Sequence, residues 1–114
     1  MGPVIDADWA LFHLQRALWD PVDPRRLGSL ERGLQFRVNG EVYRFSSDRT
    51  LQRFMKAPAL WSGAVRDPVT GRRFRPSTLS PEVWWVGGPY FFESEATKAR
   101  FIEDPKRFEV IRRM

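Results

Sequence analysis

Two aspartates carry the most suggestive chemistry in the chain. Asp20 and Asp67 stand 47 positions apart, each followed by Pro-Val and, after two variable residues, by a pair of arginines. Brought together by a symmetry axis, two carboxylates could divide general acid and general base between them. Their place before proline already accounts for them as turn formers, because proline presets one turn dihedral and aspartate hydrogen-bonds the backbone that follows. Other routes to catalysis are thin. His13 is the single histidine and cysteine is absent, which excludes a Cys/His pair, a Ser/His pair within the repeated stretch, thiolate metal sites and disulfides. Gly87-Gly88 sits between strand-like segments and precedes no helix start, so it does not form a phosphate-cradling loop. Arg25-Arg26, Arg72-Arg73 with Arg75, and Arg112-Arg113 could contact phosphates, with Tyr90, Phe91 or Trp84 stacking on bases. Salt bridges to neighbouring acids account for the arginine pairs equally well.

The elements that position these residues occur twice. At a constant offset of 47, residues 20 to 61 and 67 to 108 match without a gap at Asp20, Pro21, Val22, Arg25, Arg26, Gly40, Tyr43, Phe45, Ser47, Thr50, Arg53, Phe54 and Pro58. Each copy opens with an Asp-Pro-Val turn leading into a short strand. A hairpin follows, turned by Asn39-Gly40 in the first copy and Gly87-Gly88 in the second. Trp84 and Trp85 are neighbours and must point to opposite faces of their strand, which predicts a hairpin covered on both sides. A helix then starts at Ser47 or Ser94 as N-cap, with Asp48 or Glu95 complementing its dipole. Leu51, Phe54 and Met55 form its apolar face in the first copy, and Ala99, Phe101 and Ile102 in the second. It stops before Pro58 or Pro105, with Asp104 available to cap the closing turn of the second copy. The expected core of the two copies is Tyr43, Phe45, Phe54 and Trp61, and Tyr90, Phe92, Phe101 and Phe108.

Ahead of the repeats, residues 6 to 19 read as a helix capped by Asp6 or Asp8 and ended at Asp20-Pro21. Ala10, Leu11, Leu14, Ala17 and Leu18 share one face at helical spacing, and Trp9, Phe12, His13, Arg16 and Trp19 the other. One helix with two apolar faces predicts packing against both copies, or an aromatic face that docks on another protein. A unit of 42 residues rarely supplies an adequate core alone. The fold expected is therefore α+β: residues 1 to 114 form a single compact domain, with an N-terminal helix and two units of short strand, hairpin and helix packed as a pseudo-twofold pair.

The second unit carries a family resemblance in DPVTG at 67 to 71, YFFESEATKARF at 90 to 101 and DPKRF at 104 to 108. It resembles the YHS domain, a small family related to treble-clef-like zinc modules; residues 20 to 61 resemble it more loosely. The resemblance implies cysteine ligands at Thr70, Glu93 and Thr97, and in the first copy at Asp23, Ser46 and Thr50. None of the six is cysteine, and closed zinc sites need four nitrogen or sulfur ligands, so a metal site on the family's pattern is lost. Ser46, Ser47, Glu93 and Ser94 then read as helix-cap residues. YHS units occur in metal-transport proteins and in subunits of multicomponent di-iron oxygenases, which implies a setting in an oxygenase or metal-handling complex.

Composition agrees with a folded, non-membrane chain. Hydrophobic residues make up 42% and aromatics 14%, enough apolar area to offset ordering entropy. No segment approaches the roughly 18 to 20 apolar residues of a membrane span, and the start lacks a basic region followed by an apolar run. The expectation is a cytoplasmic protein without cofactor, metal or catalytic residues. Its function is expected to be that of an interaction or accessory-subunit module, with Trp9, Phe12, Trp19, Arg72, Arg73 and Trp84 as candidate partner-binding residues. The alternative is an arginine-rich nucleic-acid-binding protein, favoured by the net charge of +5.

Overall fold

A computed structural model describes residues 19 to 109. The helix expected over residues 6 to 19, with Trp9 and Phe12, lies outside the described residues apart from its last position. Trp19 is extended, in an isolated antiparallel bridge to Leu27. The Asp20 amide donates to the Arg26 carbonyl at 3.0 Å, which draws the chain around the Asp-Pro-Val turn instead of prolonging a helix.

The architecture is α+β, and the same elements recur in the same order. β1 (Gln35–Val38) pairs antiparallel with β2 (Glu41–Arg44), and α1 (Asp48–Lys56) and the single turn α2 (Pro58–Trp61) follow. β3 (Val65–Arg66) and β4 (Arg73–Phe74) form a small ladder around the second Asp-Pro-Val turn. The hairpin β5 (Glu82–Trp85) and β6 (Gly88–Phe91), then α3 (Glu95–Glu103) and α4 (Pro105–Phe108), complete the second unit. The two Asp-Pro-Val turns differ by one residue, since Arg66 pairs with Arg73 whereas Trp19 reaches Leu27. Gly71 takes a left-handed φ of 75° and donates its amide to the Asp67 carbonyl at 2.8 Å. Its counterpart is Pro24, which has no N–H and a φ locked near −65°, so the first turn cannot close as tightly.

Ser47 and Ser94 cap α1 and α3, each accepting a bond from the amide three residues on. Asp104 occupies the N-cap position of α4, but its side chain makes no capping bond. Phe54 and Phe101 are fully buried at the centres of matched aromatic clusters. Phe36, Tyr43 and Phe45 surround the first at centroid distances of 5.8, 5.2 and 5.0 Å, and Trp85, Tyr90 and Phe92 the second at 6.2, 5.1 and 5.3 Å. Trp61 and Phe108 close the two clusters from their partly buried positions. The helix faces are narrower than helical spacing suggested: Met55, Ala99 and Ile102 are exposed, and α3 buries Phe101 alone.

The units meet differently from a twofold pair. β1 of the first unit lies against β6 of the second. β6 is buried on both faces, with Tyr90 in the second core and Phe91 in the first, where Val65 is also enclosed. Asn39, at the end of the β1 hairpin strand, fastens the contact. Its amide nitrogen donates to the carbonyls of Arg66 and Phe91 at 2.9 and 3.0 Å, its side-chain oxygen accepts from the Phe91 amide at 2.7 Å, and its own amide donates to the Pro89 carbonyl. A twofold axis would place the counterpart, Val86, in the same role on the first unit. Val86 has no side-chain hydrogen-bonding atom and is 75% exposed. The joint is head-to-tail, and Gly88 permits it: a Cβ there would stand 2.0 Å from the Arg37 carbonyl oxygen.

Candidate functional site

The two aspartates share no hydrogen-bond partner; each is the hub of its own unit. Asp20 and Asp67 are both fully buried. In the second unit, Asp67 Oδ1 accepts from the amides of Val69 and Thr70 at 2.8 and 3.2 Å, closing the local turn. Oδ2 reaches the hairpin-to-helix junction, accepting from the Glu93 amide at 3.0 Å and the Thr97 hydroxyl at 2.8 Å. Asp20 repeats the pattern, with Oδ1 held by the amides of Val22 and Asp23. Its Oδ2 accepts from the Ser46 amide at 2.9 Å, the Ser46 hydroxyl at 2.8 Å and the Thr50 hydroxyl at 2.5 Å.

The positions to which the family resemblance assigned ligands thus converge in space. Thr70, Glu93 and Thr97 gather around Asp67, and Asp23, Ser46 and Thr50 around Asp20. In each unit a carboxylate joins the turn to the start of the helix. Both oxygens of each aspartate are occupied by donors, so neither is open to coordinate a cation without losing bonds to its own backbone. Among the described residues, no three of His, Cys, Asp and Glu gather in a metal-holding group. Ser46 and Glu93 are not caps, as expected from sequence, but members of these clusters. The Glu93 carboxylate accepts from the Thr70 hydroxyl at 3.1 Å and forms an ion pair with Arg72 at 3.3 Å.

Asp20 titrates below the ordinary carboxylate value. Burial pushes its pKa up, but the hydrogen bonds from Ser46, Thr50 and Val22 outweigh burial and favour the ionised form. Asp23 is also lowered, chiefly by its hydrogen bond from Arg25.

In the first unit Asp23, Ser46 and Thr50 line a cleft of about 510 Å³, between the turn carrying Asp23, Arg25 and Arg26 and the start of α1. Arg49 and Arg53 face it from the helix. Arg25 and Arg26 reach Asp23 through Nε at 3.1 and 3.6 Å. The Arg53 guanidinium lies 6.0 Å from the centre of the Trp61 ring.

The remaining sequence-derived candidates scatter. Arg72 is held by Glu93, Arg73 lies on β4, and Trp19 is 40% exposed. Trp84 is 64% exposed, so within the second hairpin β5 leaves one face open while β6 is buried on both. Trp84 leans on Phe36 at a centroid distance of 5.9 Å, while Trp85 turns inward and donates Nε1 to Glu109 at 2.7 Å. Tyr90 and Phe91, candidates for stacking on bases, are each only 3% exposed and cannot present a ring to a nucleic acid. Sequence reasoning missed Asn39 as more than a turn former; its Val86 counterpart was the available signal. No helix among the described residues is long and apolar enough to cross a membrane.

No family model matches this chain, and no curated protein or solved structure matches it.

Proposed function

We propose that residues 20 to 61 and 67 to 108 are two treble-clef-like units of the YHS type that have exchanged metal ligands for an aspartate hub, and that the chain is a non-catalytic module binding a protein partner. The observation that carries this reading is the second hairpin. Trp84 on β5, whose ring contacts Phe36, and Val86 in the turn that follows are both exposed. Tryptophan is the residue most enriched among interface hot spots, since one ring buries a large area at little entropic cost. The ligand positions, by contrast, make bonds within each unit, which directs a protein partner to the outer surface. A larger enzyme assembly of the oxygenase or metal-handling kind is the setting that the resemblance to YHS units favours.

The test is affinity capture from the native organism with the wild-type chain and with Trp84→Ala. A stoichiometric protein should be retained by the wild type, and its affinity should fall at least about tenfold in the variant, with thermal unfolding little changed. Capture of no such partner, or equal capture by both chains, would overturn the reading.

A further inference from the structure

We infer that the arginine-lined cleft of the first unit is a binding site for a small phosphate-bearing ligand. Internal comparison of the two units carries the inference. In the second unit the space over the aspartate hub holds a carboxylate of the protein's own: Glu93 bonds to Thr70 and Arg72. In the first unit Glu93 is replaced by Ser46, whose short side chain turns down to Asp20 and leaves the space above it open. The cationic lining is kept and increased. Arg25, Arg26 and Arg53 match Arg72, Arg73 and Arg100, and Arg49 stands where the second unit has Ala96. Four arginines therefore line the cleft, with Asp23 among its lining residues and the buried Asp20 bonded to Ser46 and Thr50 of its wall. The ion pairs to Asp23 use Nε of Arg25 and of Arg26, which leaves the terminal nitrogens of both to turn towards a ligand.

An oxyanion placed over Ser46 would take the position that the Glu93 carboxylate fills in the second unit. Phosphate suits a cleft lined by four arginines better than a single carboxylate does, because it offers more acceptor oxygens and a higher charge. The volume leaves room for the phosphate and a small organic group, in the usual range for ligand pockets.

A charge-neutral transplant tests this. Asp23→Thr combined with Ser46→Glu installs the second unit's pair in the first and leaves the number of charges in the cleft unchanged. Inorganic phosphate is titrated into the full chain and followed through backbone amide NMR shifts. In the wild type the shifts should concentrate at residues 22 to 26 and 46 to 53, and the transplant should weaken binding roughly tenfold or more. Arg49→Ala, an exposed substitution that reproduces the second unit, should weaken it in the same direction and serves if the double variant does not fold. Diffuse shifts over all arginine-rich stretches, or equal affinity in wild type and Arg49→Ala, would overturn the proposal. So would a single-stranded oligonucleotide that binds tightly, is not displaced by phosphate and is indifferent to these substitutions; such a result would indicate a nucleic-acid surface.

Discussion

Asp20 shows how one residue can replace a cross-link. Its carboxylate accepts five hydrogen bonds in a site closed to water, three of them from the hairpin-to-helix junction 26 to 30 residues away. Asp20→Asn preserves shape but turns an amide donor towards the Ser46 N–H, which cannot rotate away as a hydroxyl can. We expect a loss of about 2–4 kcal/mol of folding stability, from charge-assisted bonds lost and a buried donor left unpaired, measurable by urea denaturation. The pH dependence follows from the lowered pKa. The folded state favours the ionised form, so the contribution is complete above the unfolded value near 3.8 and is lost as pH falls through the lower folded value. Denaturation midpoints should drop on acidification below about pH 4 in the wild type, and this drop should be smaller in Asp20→Asn. An equal drop in both chains would mean that other carboxylates dominate. The local half of this role was legible in sequence, because Asp-Pro-Val is a turn signal. The distant half was not: nothing in the chain announces that Thr50 and Ser46 will meet the second oxygen.

At the scale of elements, β6 and the end of β1 decide how two similar units become one body. Asn39 adopts φ of 50°, a left-handed conformation that asparagine tolerates better than most residues, and makes three side-chain bonds across the joint. Asn39→Ala removes those bonds, leaves the Phe91 amide buried without its acceptor and strains the backbone. A destabilisation of about 2–4 kcal/mol is expected, with faster amide exchange at Phe91 as the local signature. Asn39→Gly relieves the dihedral while losing the same bonds, so a Gly variant nearly as unstable as Ala assigns the effect to hydrogen bonding; recovery in Gly assigns it to strain. The second hairpin turns at Val86-Gly87, one residue before the Gly87-Gly88 expected, because Gly88 already pairs with Trp85 as the first residue of β6. The first hairpin, the Ser47 and Ser94 caps and the stops at Pro58 and Pro105 were readable from local residue patterns. Asn39-Gly40 was readable as a turn for the same reason, and its role at the joint was hidden because its partners lie 27 and 52 positions away.

In the whole molecule, the cores of the two units interlock. Phe91 belongs to the second hairpin yet is buried with Phe36, Phe45 and Phe54 of the first unit, and Val65 joins them. Phe91→Ala should therefore cost about 3–5 kcal/mol and destabilise both units together. Unfolding followed at Trp61 and at Trp85 should give coincident transitions in the wild type; separated transitions would show that the units are independent. Head-to-tail packing also breaks the equivalence of the copies, since Val86 and Trp84 stay exposed where a twofold joint would have used the second hairpin as it uses the first. By itself the sequence determined the duplicated units, their α+β elements, the aromatic residues that fill them and the absence of thiolate chemistry, all of which depend on residue type and short-range spacing. Only the tertiary structure decided that Asp20 and Asp67 act as separate hubs, that Asn39 clasps β6 and that a cleft opens over Ser46. These features depend on which distant backbone groups are left to be satisfied once the chain is packed, and on the one-sided choice that makes two similar units unequal.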